Sequence, residues 1–350
     1  MKKIEKQKLL GLLPEISKDN QLIVPVEDDG VVNFRPYEQG VKVNLEVLNT
    51  VRPPKEVFFP QSENYLKFYS RRESLQLEPF KDEEGKRNIL LGVRPCDVAS
   101  FDLLDKVFLE DPQDPLYLSR RENTVVIALA CSNPAPTCFC TAFQLEPGAS
   151  PGADVIMHDV DDNFIILAQS DKGKEFLQLI ESHLEPASKS DEEVVYEQRQ
   201  EAASREVAAS KEHGWQLEGV HAFLKDKFDW HFWDELYRRC IGCGTCTFLC
   251  PTCHCFDVQD FAKNQEGLRF RCWDSCMYGE FTLMASGENP RPTQKERVRN
   301  RFLHKLYYYP SRYDGVYACV GCGRCLRKCP VQLDISQVIK EAGGELSGNS

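Results

Sequence analysis

Two aliphatic runs, NILLGV at 88–93 and TVVIALA at 124–130, flank DVASFDLLDKVFL at 97–109, whose apolar residues recur at helical spacing. Runs of that length predict buried strands, and the strand, helix, strand order predicts a βαβ unit with parallel strands. Farther on, ADVIMHDVDDNFIILA predicts two strands about a polar turn at Asp161, Asp162 and Asn163. From Asp171 to about His213 the chain is charged, with Pro186 and SKSDEE marking a stop and a capped restart. This pattern predicts a solvated helical connector. FLKDKFDWHFWDELYRRC then brings Phe228, Trp230, Phe232, Trp233 and Tyr237 up to a cysteine motif, as core and cover for it. The closing GGELSGNS predicts a frayed end. The expected architecture is of the α+β or α/β class. It comprises an α/β domain over 1–170, a helical connector over 171–235, a cysteine-rich domain over 236–342 with an insertion at 251–318, and a tail over 343–350.

Composition narrows the function. A formal charge of −11 over 350 residues argues against nucleic acid as a partner. The segment RPTQKERVRNRFLHK, 291–305, departs from that balance and reads as a counter-charge, a dock for an acidic partner, or a plain solvated helix. No apolar run is long enough to span a membrane, and the start of the chain does not read as an export signal, so a cytoplasmic protein is expected. There the 16 cysteines stay reduced, which points to metal binding or catalysis rather than disulfides.

The decisive motif occurs twice. Cys240, Cys243, Cys246 and Cys250, then Cys319, Cys322, Cys325 and Cys329, follow C-x2-C-x2-C-x3-C-P, ending in Pro251 and Pro330. This is the bacterial ferredoxin run, in which the fourth cysteine ligates the other cluster. It assigns Cys240, Cys243, Cys246 and Cys329 to one [4Fe-4S] cluster, and Cys319, Cys322, Cys325 and Cys250 to a second. Gly242, Gly244, Gly321 and Gly323 let backbone amides approach the sulfurs, while Ile241 and Val320 are expected to exclude water. A zinc-stabilised interaction module would use C-x2-C pairs too, but has no need of the third thiol or the C-P ending.

Eight cysteines remain. Cys253, Cys255, Cys272 and Cys276 in the insertion either hold a further cluster or pack as buried thiols shielding the cubanes, with His254 left out of the ligand set. Cys96 follows one expected strand and Cys131 the next, with Cys138 and Cys140 in a Pro-rich loop. The C-terminal ends of parallel strands lie together, so these four are expected to converge, as a third [4Fe-4S] site or as structural or redox thiols.

GVRPCD, CFC, CPTCHCFDVQD, WDSC, RPTQKERVRNRF and CVGCGRCLRKCP, in this order, resemble the iron-sulfur β subunit of sulfhydrogenases and the A subunit of anaerobic sulfite reductase. The resemblance covers nearly the whole chain. It implies an electron-transfer subunit of a hetero-oligomer, between a flavin subunit that handles NAD(P)H and a catalytic subunit with nickel-iron or sirohaem. It also implies that Cys96, Cys131, Cys138, Cys140, Cys253, Cys255 and Cys276 occupy recurring positions, whereas Cys272 stands where a basic residue is usual. The chain itself has no G-x-G-x-x-G and no P-loop, hence no visible dinucleotide site. The competing reading is a catalytic sulfur or disulfide reductase that uses the N-terminal cysteine group.

Overall fold

The structure, a computed structural model, describes residues 1–71, 74–80 and 86–348. Its strands, in chain order, are β1 (Lys2–Glu5), β2 (Asn20–Asp28), β3 (Val31–Pro36), β4 (Lys42–Val43), β5 (Ser62–Arg71), β6 (Ser74–Pro79), β7 (Arg87–Val93), β8 (Thr124–Leu129), β9 (Val155–Val160), β10 (Asn163–Ala168), β11 (Glu185–Pro186), β12 (Phe256–Lys263) and β13 (Glu266–Trp273). Helices and strands alternate over the first half, and the expected mixed α/β class is what forms.

A mixed sheet runs in the order β11-β1-β10-β9-β8-β7-β2-β3, with β4 also on β2. Its centre is parallel: β2 pairs with β7, β7 with β8 and β8 with β9. Every residue of β8 is buried, as a strand covered on both faces requires. Helix Pro95–Phe108 covers one face, where Phe101, Leu104 and Phe108 join Val126 and Ala128. Helix Lys6–Asp19 covers the other through Leu9, Leu13 and Ile16. The β9–β10 hairpin turns at Asp161, which adopts a positive φ of 51°, as its polar turn residues suggest.

Three expectations are corrected. Part of the insertion leaves the cysteine domain: β12 and β13 pair with β5 and β6 in a second sheet, ordered β12-β13-β5-β6, while Val298, Phe302 and Leu306 stay in the core beneath the cysteine motifs. Arg271 at its base is fully buried against Glu63 and reaches Tyr65 and Asp114, which joins 271 to the first 114 residues. The connector is not simply solvated either. Helix Lys189–Glu212, capped by a Ser188/Asp191 box, buries Val195, Ala202, Glu206 and Ser210 along one face. Apart from Val195 these are small or polar residues, so a hydrophobic pattern misses the stripe. Finally, helix Ile335–Gly348 runs through most of the expected tail, because Trp230 Nε1 donates to Glu345 at 2.9 Å and Lys227 reaches the same carboxylate. Residues 349 and 350 lie outside the described residues.

Trp215, Trp230, Trp233, Phe302 and Ile339 form the core beneath the cysteine motifs. Phe228 is the exception among the aromatics of 228–237: it is exposed, with Arg299 stacked on its ring.

Candidate iron-sulfur sites

Each ferredoxin run folds the same way. Gly244 and Gly323, both left-handed, turn the chain into the short helices Thr245–Phe248 and Arg324–Lys328, which pack against each other. Their cysteines thereby face a shared interior. Cys240, Cys243, Cys246 and Cys329 line one small cavity, closed by Met277, Val298, Phe302 and Leu333. Backbone amides point at its sulfurs: Gly242 N–H donates to Cys240 Sγ and Leu333 N–H to Cys329 Sγ at 3.2 Å. Ile241 does not exclude water as expected; it is 63% exposed, because its loop forms the outer lip where Cys243 also meets solvent.

The second set is deeper. Cys250, Cys319, Cys322 and Cys325 lie within electrostatic reach of one another, and Val320 beside them is buried. Burial pushes the Cys319 thiol up to about 12. A neutral thiol is thus favoured until a metal displaces its proton.

Cys96, Cys131, Cys138 and Cys140, the third set, line another small cavity, much like the first in size. Cys96 sits at the start of the helix after β7, and Cys131 lies just beyond β8. Pro134, Leu145 and Pro147 make its walls apolar. Arg94 closes the bottom by donating to the carbonyls of Leu45, Val47 and Ala130. Cys140 is hydrogen-bonded to the buried Glu206 at 3.5 Å, a partner on the connector helix that sequence reading missed. Cys322 lines this cavity as well, so the second and third cysteine sets adjoin.

The insertion cysteines divide. Cys253 is hydrogen-bonded to Cys250, and Cys255 to Cys276. Cys272 stands apart on β13, with Asp257 and Asp274 as its charged neighbours. His254 is held by the Thr252 carbonyl, and burial lowers it to about 4. Among the described residues no three Cys, His, Asp or Glu side chains converge as tightly as a single ion requires; the cysteines line cavities instead.

The family match agrees with this geometry. Residues 239–333 match a 4Fe-4S dicluster domain. Over 318 residues, 91% of this chain and 90% of the relative, the sequence is 31% identical to sulfhydrogenase 2 subunit beta of Pyrococcus furiosus. The chain belongs to the sulfhydrogenase β-subunit family. In this family member the dicluster domain is continuous with the α/β sheet: Phe139 N–H donates to the Gly321 carbonyl at 2.9 Å, and Arg324 makes a two-pronged ion pair with buried Asp97 at 2.6 and 2.7 Å.

The basic stretch is not a plain solvated helix. Helix Gln294–Leu303 carries Arg299 and Arg301 inward, and Lys305 follows it into the core. Lys305 Nζ donates to Thr252 Oγ1 at 2.7 Å and the Ala318 carbonyl at 2.9 Å, and Lys55 donates to the Cys253 carbonyl at 2.6 Å. Burial alone would neutralise such amines, and it does lower Lys55 to about 8. For Lys305 burial is outweighed by Cys250, Cys253 and Cys319, which hold it above the ordinary range. Buried cations facing thiols suit an anionic metal-thiolate group. The donor set, the amides aimed at sulfur and these cations all fit [4Fe-4S]. Lys55, in RPPKEVFFP, has no motif to mark it; Arg301 and Lys305, one helical turn apart, were visible only as part of a basic run.

Among the described residues, no helix is long and apolar enough to cross a membrane.

Proposed function

We propose that this chain is the electron-transfer subunit of a cytoplasmic, multi-subunit oxidoreductase, standing between a flavin subunit that handles NAD(P)H and a catalytic subunit of the hydrogenase or sulfite reductase kind. The carrying observation is that three four-cysteine sets lie in series, Cys322 belonging to the second set while lining the cavity of the third. In this reading Cys240, Cys243, Cys246 and Cys329 hold the first [4Fe-4S] cluster, Cys250, Cys319, Cys322 and Cys325 the second, and Cys96, Cys131, Cys138 and Cys140 the third. Such fully cysteine-ligated clusters supply one-electron transfer and offer no open coordination position. The protein's own part is to shield the second and third sets, none of whose cysteines is exposed, and to leave the first near the surface, at Cys243.

The rival reading, a sulfur or disulfide reductase acting at the N-terminal thiols, is disfavoured by the burial of Cys131, Cys138 and Cys140. Iron and acid-labile sulfide, counted per chain in anaerobically purified protein, test the assignment. About 12 of each supports three clusters, and Cys138→Ser should bring the count to about 8. About 8 in the parent would reduce the N-terminal four to structure or thiol chemistry, and about 16 would give Cys253, Cys255 and Cys276 a share in a fourth cluster. Zinc in place of iron would refute the reading.

A further inference from the structure

A buried cation without a carboxylate is costly unless other anions face it. Lys55, Arg301 and Lys305 are 2%, 3% and 4% exposed, yet their hydrogen bonds go to carbonyls and a hydroxyl. Arg301 leaves Nε and Nη1 with no partner at all. The other deeply buried arginines are treated differently: Arg271 has Glu63 and Asp114, and Arg324 has Asp97.

Position makes the contrast functional. Arg301 lines the first cavity and its Nη2 donates to the Cys246 carbonyl at 3.5 Å, while Cys325 and Cys250 of the second set, and Cys253, also act on its charge. It therefore stands in the gap between the first two sets. Lys305 faces Cys250 and Cys319 of the second set, with Cys253 beside them. Between the second and third sets the equivalent place is taken by Arg324, whose charge Asp97 cancels. The third set faces two cations, Arg94 and Arg327, and an acidic neighbour, Glu206. Unbalanced positive charge is thus greatest around the second set, where Lys55, Arg301 and Lys305 all face Cys250 and none has a carboxylate.

Reduction adds one negative charge to a cluster, and a fixed cation nearby favours it. We propose that Arg301 and Lys305 are potential-setting residues that make the cluster of Cys250, Cys319, Cys322 and Cys325 the first of the three to accept an electron. The inference rests on the three-cluster reading above. It makes the middle of the series a resting place for the electron, with Arg301 also drawing the first cluster toward it in potential.

Redox titration of the anaerobically purified full-length chain, followed by electron paramagnetic resonance, tests this. Cys138→Ser identifies the N-terminal signal by its loss. Lys305→Gln should lower one midpoint, reducing its reduced-to-oxidised ratio at fixed potential by about tenfold, or 59 mV for one electron. Arg301→Gln should lower two midpoints together. Neither should move the N-terminal one, and the charge-keeping variants Lys305→Arg and Arg301→Lys should leave all three within about a factor of two of the parent ratio. Unmoved midpoints at full iron content, or an equal shift of all three, overturn the proposal. If both glutamine variants lose iron, Asp97→Asn decides: by uncovering the Arg324 charge it must raise the second cluster's midpoint, and no rise refutes the inference. A parent protein with little iron defeats the cluster reading itself, which separates the two failures.

Discussion

Gly321 shows how little room the second motif leaves. At its φ of +60°, an added Cβ would sit 2.4 Å from the backbone carbon and oxygen of Phe139, and Gly323 faces Thr137 as closely. Neither neighbour is a side-chain end that can swing away. Gly321→Ala is therefore expected to destabilise the chain by about 2 kcal/mol or more and to lower iron content at the Cys138/Cys140 site, read by urea denaturation and iron analysis. His158 on β9 gives a pH test. Burial lowers it to about 4, so the folded state keeps it neutral while the unfolded chain takes up a proton below about 6.5. Its contribution is present above that value and lost as pH falls toward 4. Unfolding free energy should drop by about 2 kcal/mol between pH 7 and pH 5 through this group, and His158→Gln should remove that part of the dependence. The ferredoxin cysteines were legible at this level because their spacing is local. Glu206 and Lys55 were not, since each meets a cysteine only through folding, across 66 and 198 residues.

Among the elements, β7, helix Pro95–Phe108 and β8 emerged where their hydrophobic patterns placed them, because strands buried on both faces read as unbroken aliphatic runs. The second sheet did not. Outside its base β12 is exposed along its length, β6 likewise, so Leu75, Leu77, Val258 and Phe261 face outward and mark no core. What anchors that sheet is the Arg271, Glu63 and Asp114 network, together with Trp273 on Phe59. Removing the cation would leave two carboxylates buried without it. Arg271→Met should cost about 3–5 kcal/mol, measured by chemical denaturation, and Asp114→Asn less because Glu63 remains paired.

For the molecule as a whole, the absence of a dinucleotide motif and the serial cysteine sets give one expectation. The isolated chain should be reduced by dithionite, seen as bleaching of its visible absorbance, yet show no NAD(P)H oxidation until a flavin partner is added. Sustained NAD(P)H turnover by the chain alone would contradict the relay. The chain's order of residues settled the identity of the clusters and the α/β character of the first half, since thiol spacing and hydrophobic period act over a few neighbours. Only tertiary folding decided that the N-terminal cysteines abut the second motif, that β12 and β13 of the insertion pair with β5 and β6, and that Arg301 and Lys305 are buried without carboxylates. Those outcomes depend on pairings between residues far apart in the chain, which no local period records.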